Sequence, residues 1–74
     1  MSEPLETDAI IGVLGGGQLG RMLSVAASRL GLRTHIFDPA TTPPAASVAD
    51  MLTTAPYEDQ VALEAFAKSV SVIT

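Results

Sequence analysis

Three consecutive glycines, Gly15, Gly16 and Gly17, close an almost wholly apolar run, Ala9-Ile10-Ile11-Gly12-Val13-Leu14, and Gly20 follows after Gln18-Leu19. Positions 15, 17 and 20 have the spacing G-x-G-x-x-G, and an apolar-periodic segment begins at once. The run therefore predicts strand, tight turn, helix. Each glycine has a separate task. Gly15 permits the sharp turn, Gly17 removes a Cβ where a ligand would approach the backbone, and Gly20 lets the helix lie close to the strand. The unbonded N–H groups of the first helical turn carry the positive end of the helix dipole, so this turn is a candidate phosphate or carboxylate site. The alternative is that the glycines serve only the packing of strand against helix.

The rest of the chain repeats that alternation. Leu19, Met22, Leu23, Ala26, Ala27 and Leu30 share one helical face, which is expected to be buried. Ser24, Ser28 and Arg29 are expected on the opposite face. Gly31 reads as the helix stop. Arg33 to Phe37 is rich in strand formers and ends at Asp38-Pro39, where proline ends a ladder. The proline-rich segment 40–47 is too short for a crossover helix, although Ala45 to Val48 can form one turn. Asp50 to Thr54 reads as a third strand. Beyond Pro56, Ala62, Leu63, Phe66, Ala67 and Val70 recur at helical spacing, predicting a helix over Glu58 to Ser69. Glu58, Asp59 and Lys68 sit at the ends its dipole favours. Val70 to Thr74 has strand composition. The expected fold is α/β: a Rossmann-like half-domain with a mainly parallel four-stranded sheet in the order 3-2-1-4 and flanking helices.

Composition excludes several functions. With no cysteine among 74 residues, disulfides, thiolate metal sites and cysteine nucleophiles are ruled out. A formal charge of −4 with only four Lys and Arg offers no basic stripe for nucleic acid. No apolar run reaches membrane-spanning length. Residues 1–8 are acidic, lack the basic and apolar regions of a signal peptide, and are expected to form a disordered leader ahead of a single domain over 9–74. A fourth strand of Val and Ile would form an unprotected sheet edge, so the domain is expected to be truncated at its C-terminal end and to belong to a longer protein.

The run Ile11 to Leu23, with GGGQLGRM at its centre, resembles the opening of the N5-carboxyaminoimidazole ribonucleotide synthetases, the ATPase subunits of phosphoribosylaminoimidazole carboxylase. The likeness continues through Arg29-Leu30-Gly31, His35 to Pro39, Pro44-Ala45-Ala46, Val48-Ala49-Asp50 and Tyr57-Glu58-Asp59. The resemblance implies the N-terminal pre-ATP-grasp domain of a cytoplasmic ligase in purine biosynthesis. That enzyme would use ATP, Mg²⁺ and bicarbonate to carboxylate aminoimidazole ribonucleotide and would act as a homodimer. ATP and metal would bind in later domains, leaving this chain without catalytic residues or bound cofactor of its own.

On that basis the candidate substrate-binding residues are Gly16, Gly17, Gln18, Leu19, Gly20 and Arg21, with Asp38 a further possibility. Leu19 is expected to contribute its backbone N–H. Arg21, a cation in the first helical turn, opposes the dipole and calls for an anion, either a ligand or Asp38. Asp38 also falls about 20 residues past the turn, where dinucleotide-binding folds place the acid that holds a ribose 2′-OH. It therefore supports a rival reading, an NAD(P)-binding domain of an oxidoreductase; a non-enzymatic anion-binding module is the third. His35 has no visible catalytic partner and reads as structural. Glu58, Asp59 and Glu64 read as solvated, and Tyr57 either packs under the loop or closes the cleft.

Overall fold

The computed structural model describes residues 9–74, so the expected leader lies outside the described residues. The elements are β1 (Ile10–Leu14), α1 (Gln18–Arg29), β2 (Arg33–Asp38), a 3-10 turn (Pro44–Ser47), β3 (Met51–Thr54), α2 (Gln60–Lys68) and β4 (Val72–Ile73). All strand pairs are parallel and the sheet order is β3-β2-β1-β4, as the alternation of strand and helix requires. β1 is central, with Ile11 aligned to Thr34 on one side and to Val72 on the other.

Strand alternation assigns the two faces. Val13 and Ile36 point to the side of α1 and the 3-10 turn, where they form a core with Ala45, flanked by Ile11, Ala49 and Leu52. Gly12, His35 and Phe37 point to the side of α2. A Cβ on Gly12 would lie 2.9 Å from Phe66 Cζ and from Val70 Cγ2, so its missing side chain makes room for α2 over the middle of the sheet. Phe66 is fully buried, with ring centroids 4.8 Å from His35 and 5.3 Å from Phe37.

Both helices are ended by local chemistry. Gly31 adopts φ 79°, and the N–H groups of Gly31 and Leu32 donate to Ser28 and Ala27 carbonyls, a Schellman stop for α1. Asp59 is the N-cap of α2, its Oδ1 accepting the Ala62 N–H at 3.0 Å. Hence α2 starts two residues later than the charge pattern predicts.

The orientation of α1 differs from expectation. Gly20, Ser24 and Ala27 are the buried residues, whereas Leu19, Met22 and Leu30 are 65–71% exposed and Leu23 is 39% exposed. The apolar stripe is turned roughly a quarter of a revolution from the sheet, at 3.6 residues per turn. Close approach explains it. A Cβ on Gly20 would stand 2.7 Å from the Gly15 carbonyl oxygen, so α1 lies too near the strand-turn junction for large side chains between them. Ser24 is buried without penalty because its Oγ donates to the Gly20 carbonyl at 2.9 Å. β1 is also less enclosed than a strand buried on both faces, since Leu14 at its end is 46% exposed.

Candidate functional site

The glycine turn lies at the carboxyl end of β1, between the ends of β2 and β4. Gly15 has φ +94°, which only glycine adopts readily, and its N–H donates to the Phe37 carbonyl at 2.8 Å. The Gly16 N–H donates to Asp38 Oδ2 at 2.7 Å, and its carbonyl accepts the Ala45 N–H at 2.8 Å. Gly16 also has no room for a side chain, since a Cβ would meet Ile36 at 2.8 Å and Pro43 at 2.9 Å. Gly17 is the N-cap of α1, with φ −72° and no side-chain cap. The first helical bond runs from the Arg21 N–H to the Gly17 carbonyl. Within the described residues, the N–H groups of Gly17, Gln18, Leu19 and Gly20 have no acceptor, and space is open for 4 Å around a Cβ placed on Gly17. The turn thus presents unbonded donors at a helix N-terminus, those of Gly17, Gln18 and Leu19 on exposed residues and that of Gly20 on a buried one.

A cleft of about 270 Å³ opens beside the turn, lined by Val13, Leu14, Gly15, Gly17, Leu19, Gly20, Leu23 and Thr74. Thr74 closes one side, its carbonyl accepting the Leu14 N–H. Tyr57 stands across the turn: its ring packs on Phe37 at 5.8 Å between centroids, and its hydroxyl lies 3.4 Å from the Cβ position of Gly15.

His35 sits away from the turn, 7% exposed. Its Nδ1 is 2.8 Å from Ser69 Oγ and its Nε2 is 2.6 Å from Thr53 Oγ1. Because Ser69 Oγ donates to the Phe66 carbonyl, it accepts from Nδ1–H, leaving Nε2 to accept from Thr53. Burial pushes the imidazole pKa below its ordinary value. The histidine is a packed, neutral structural group. Among the described residues, no cluster of three His, Cys, Asp or Glu could hold a metal, and no helix is long and apolar enough to cross a membrane.

Residues 9–74 match the ribonucleotide synthetase preATP-grasp domain family. The chain belongs to this family. It is 47% identical over 70 residues to an N5-carboxyaminoimidazole ribonucleotide synthase of Brucella melitensis, covering 95% of this chain and 19% of that protein. The same identity over 70 residues relates it to the bifunctional purine synthesis protein purC/E of Dictyostelium discoideum, covering 95% of this chain and 7% of that protein. The ADP complex of an N5-carboxyaminoimidazole ribonucleotide synthetase superposes with a TM-score of 0.93 at 38% identity, covering 100% of this chain and 20% of that one. The chain therefore spans a fifth or less of the length of these relatives.

In this preATP-grasp domain the predicted site residues separate into groups. Gly17, Leu19 and Gly20 line the cleft, and Gln18 is exposed beside them. Gly16 has both its N–H and its carbonyl engaged within the protein. Arg21 borders a different feature, an apolar groove of about 590 Å³ along the outer face of α1 with Met22, Val25, Ala26, Arg29 and Leu30. The Arg21–Asp38 pairing offered as one compensation is not formed: Asp38 instead accepts from Gly16 and, at 2.8 Å, from the Ala40 N–H. Sequence reasoning missed Val13, Leu14, Leu23 and Thr74 as cleft residues. The signal for Thr74 was available, because the order 3-2-1-4 sets the end of β4 beside the end of β1.

Proposed function

We propose that this chain is the N-terminal, substrate-side domain of an ATP-dependent ligase that carboxylates 5-aminoimidazole ribonucleotide with bicarbonate in purine biosynthesis. The N–H groups of Gly17, Gln18 and Leu19, with the Gln18 side chain, bind the ribonucleotide; ATP and Mg²⁺ bind in other domains of the complete protein. The observation that carries this reading is the row of unbonded donors at the carboxyl end of the central strand, in a domain 47% identical to an N5-carboxyaminoimidazole ribonucleotide synthase. The reading includes a cytoplasmic, homodimeric parent enzyme and a 74-residue chain that catalyses nothing by itself; ATP turnover by the purified chain would overturn that part.

The NAD(P)-binding alternative loses its main support, since the Asp38 oxygens accept Gly16 and Ala40 N–H groups and the Pro43 ring covers Gly16. In the complete protein, Gln18→Ala is expected to raise the KM for aminoimidazole ribonucleotide and leave that for ATP nearly unchanged. A shift in the ATP constant instead, or no shift in either with the protein folded, refutes the site assignment.

A further inference from the structure

Three adjacent glycines form the most conformationally permissive stretch a chain can have, so a single geometry at Gly15 to Gly17 must be imposed from outside. Main-chain bonds hold part of it, from the Gly15 N–H to Phe37 and from the Ala45 N–H to Gly16. The remaining bond comes from a charged side chain: Asp38 Oδ2 accepts the Gly16 N–H at 2.7 Å, at the short end for a charge-assisted bond. Asp38 is itself fixed on two further sides. Its Oδ1 accepts the Ala40 N–H at 2.8 Å, and its carbonyl accepts the Ala55 N–H at 3.2 Å beyond β3. It lines no part of the cleft.

We infer that Asp38 is the positioning residue of the glycine turn: by holding the Gly16 N–H it sets the direction of the next donors, those of Gly17, Gln18 and Leu19. This rests on the reading that the ribonucleotide binds at those donors. The carboxylate occupies one donor of the turn and orients the others without touching the ligand. Its oxygens are engaged by backbone on both sides, so the acid that dinucleotide-binding folds turn toward a ribose is here turned inward.

The test compares Asp38→Ala with Asp38→Asn in the complete protein. Asparagine keeps one carbonyl oxygen for Gly16 while its amide faces the Ala40 N–H; alanine removes both acceptors. With Asp38→Ala, the KM for aminoimidazole ribonucleotide is expected to rise at least about tenfold, with kcat and the ATP KM within about twofold. Asp38→Asn is expected to recover most of that loss. A second readout does not depend on the substrate: amide hydrogen exchange at Gly15 and Gly16, the two bonded amides of the turn, is expected to speed up about tenfold in Asp38→Ala and much less in Asp38→Asn. If the wild type shows no dependence on the ribonucleotide, the functional reading fails, and exchange alone decides the role of Asp38. Unchanged exchange in folded Asp38→Ala, equal effects of the two variants, or parallel shifts in both KM values overturn the inference.

Discussion

Gly20 and the Gly15 carbonyl approach so closely that a Cβ on Gly20 would lie 2.7 Å from the oxygen, a separation that real Cβ atoms do not tolerate. The obstacle is backbone at the tightest point of the turn and cannot swing aside as a side-chain tip would. This one contact sets how near α1 lies to β1 and therefore which residues of the helix are buried.

Gly20→Ala accordingly sets two effects against each other. Alanine in a helix gains about 1 kcal/mol over glycine, while overpacking against fixed neighbours costs about 1–3 kcal/mol. Because the neighbour is main chain, the second effect is expected to win, with a net loss of up to about 2 kcal/mol. Chemical denaturation measures it; a variant as stable as the parent would show that α1 can move away freely.

Gly16 and Gly17 are expected to separate packing from binding. Gly16→Ala drives a methyl into Ile36 and Pro43 and should destabilise the fold by about 1–3 kcal/mol. Gly17→Ala enters open space, so its cost is confined to a poorer N-cap, at most about 1 kcal/mol. In the complete protein Gly17→Ala should still weaken ribonucleotide binding if the proposed site is right, because the methyl would stand at the proposed ligand approach. Paired denaturation curves and substrate titrations decide this, and a Gly17→Ala protein with normal affinity would argue against backbone recognition.

Thr34 is 2% exposed, and its Oγ1 has no hydrogen-bond partner among the described residues. An unsatisfied buried hydroxyl costs about 1–3 kcal/mol. Thr34→Val preserves shape and removes that cost, so a gain of about 1 kcal/mol in unfolding free energy is expected. A loss on this substitution would mean that the hydroxyl has a partner in solution.

Acid sensitivity should trace to His35, the single histidine of the chain. Burial lowers its folded-state pKa below the unfolded value of 6.5, so the unfolded chain binds more proton between the two values. Stability from this group is complete above about pH 6.5 and is lost as pH falls through the folded-state pKa. Melting temperatures measured from pH 8 down to pH 5 should decline below that point, and His35→Gln should flatten the profile. A melting temperature constant across the range would contradict the buried, neutral ring.

Local and periodic features were legible from the sequence alone, because they depend on neighbours within a few residues. The run from Ile10 to Leu14, the Gly15 turn, the Gly31 stop and the Asp38-Pro39 end of β2 each reflect backbone preferences written into adjacent side chains, and right-handed crossovers then leave the order 3-2-1-4. The facing of α1 was not legible in the same way. Periodicity locates an apolar stripe on Leu19, Met22, Leu23, Ala26, Ala27 and Leu30, but the closeness of the Gly20 and Gly15 backbones decides that, of these, only Ala27 is buried, alongside Gly20 and Ser24. The partner of Asp38 was likewise a tertiary matter. Spacing of about 20 residues brings an acid to the turn, and only the placement of Gly16 under Pro43 and Ala45 determines that the carboxylate points inward to a backbone N–H. Sequence pattern records which chemistry is near; the distance between two backbones, set by the whole sheet, determines what that chemistry touches.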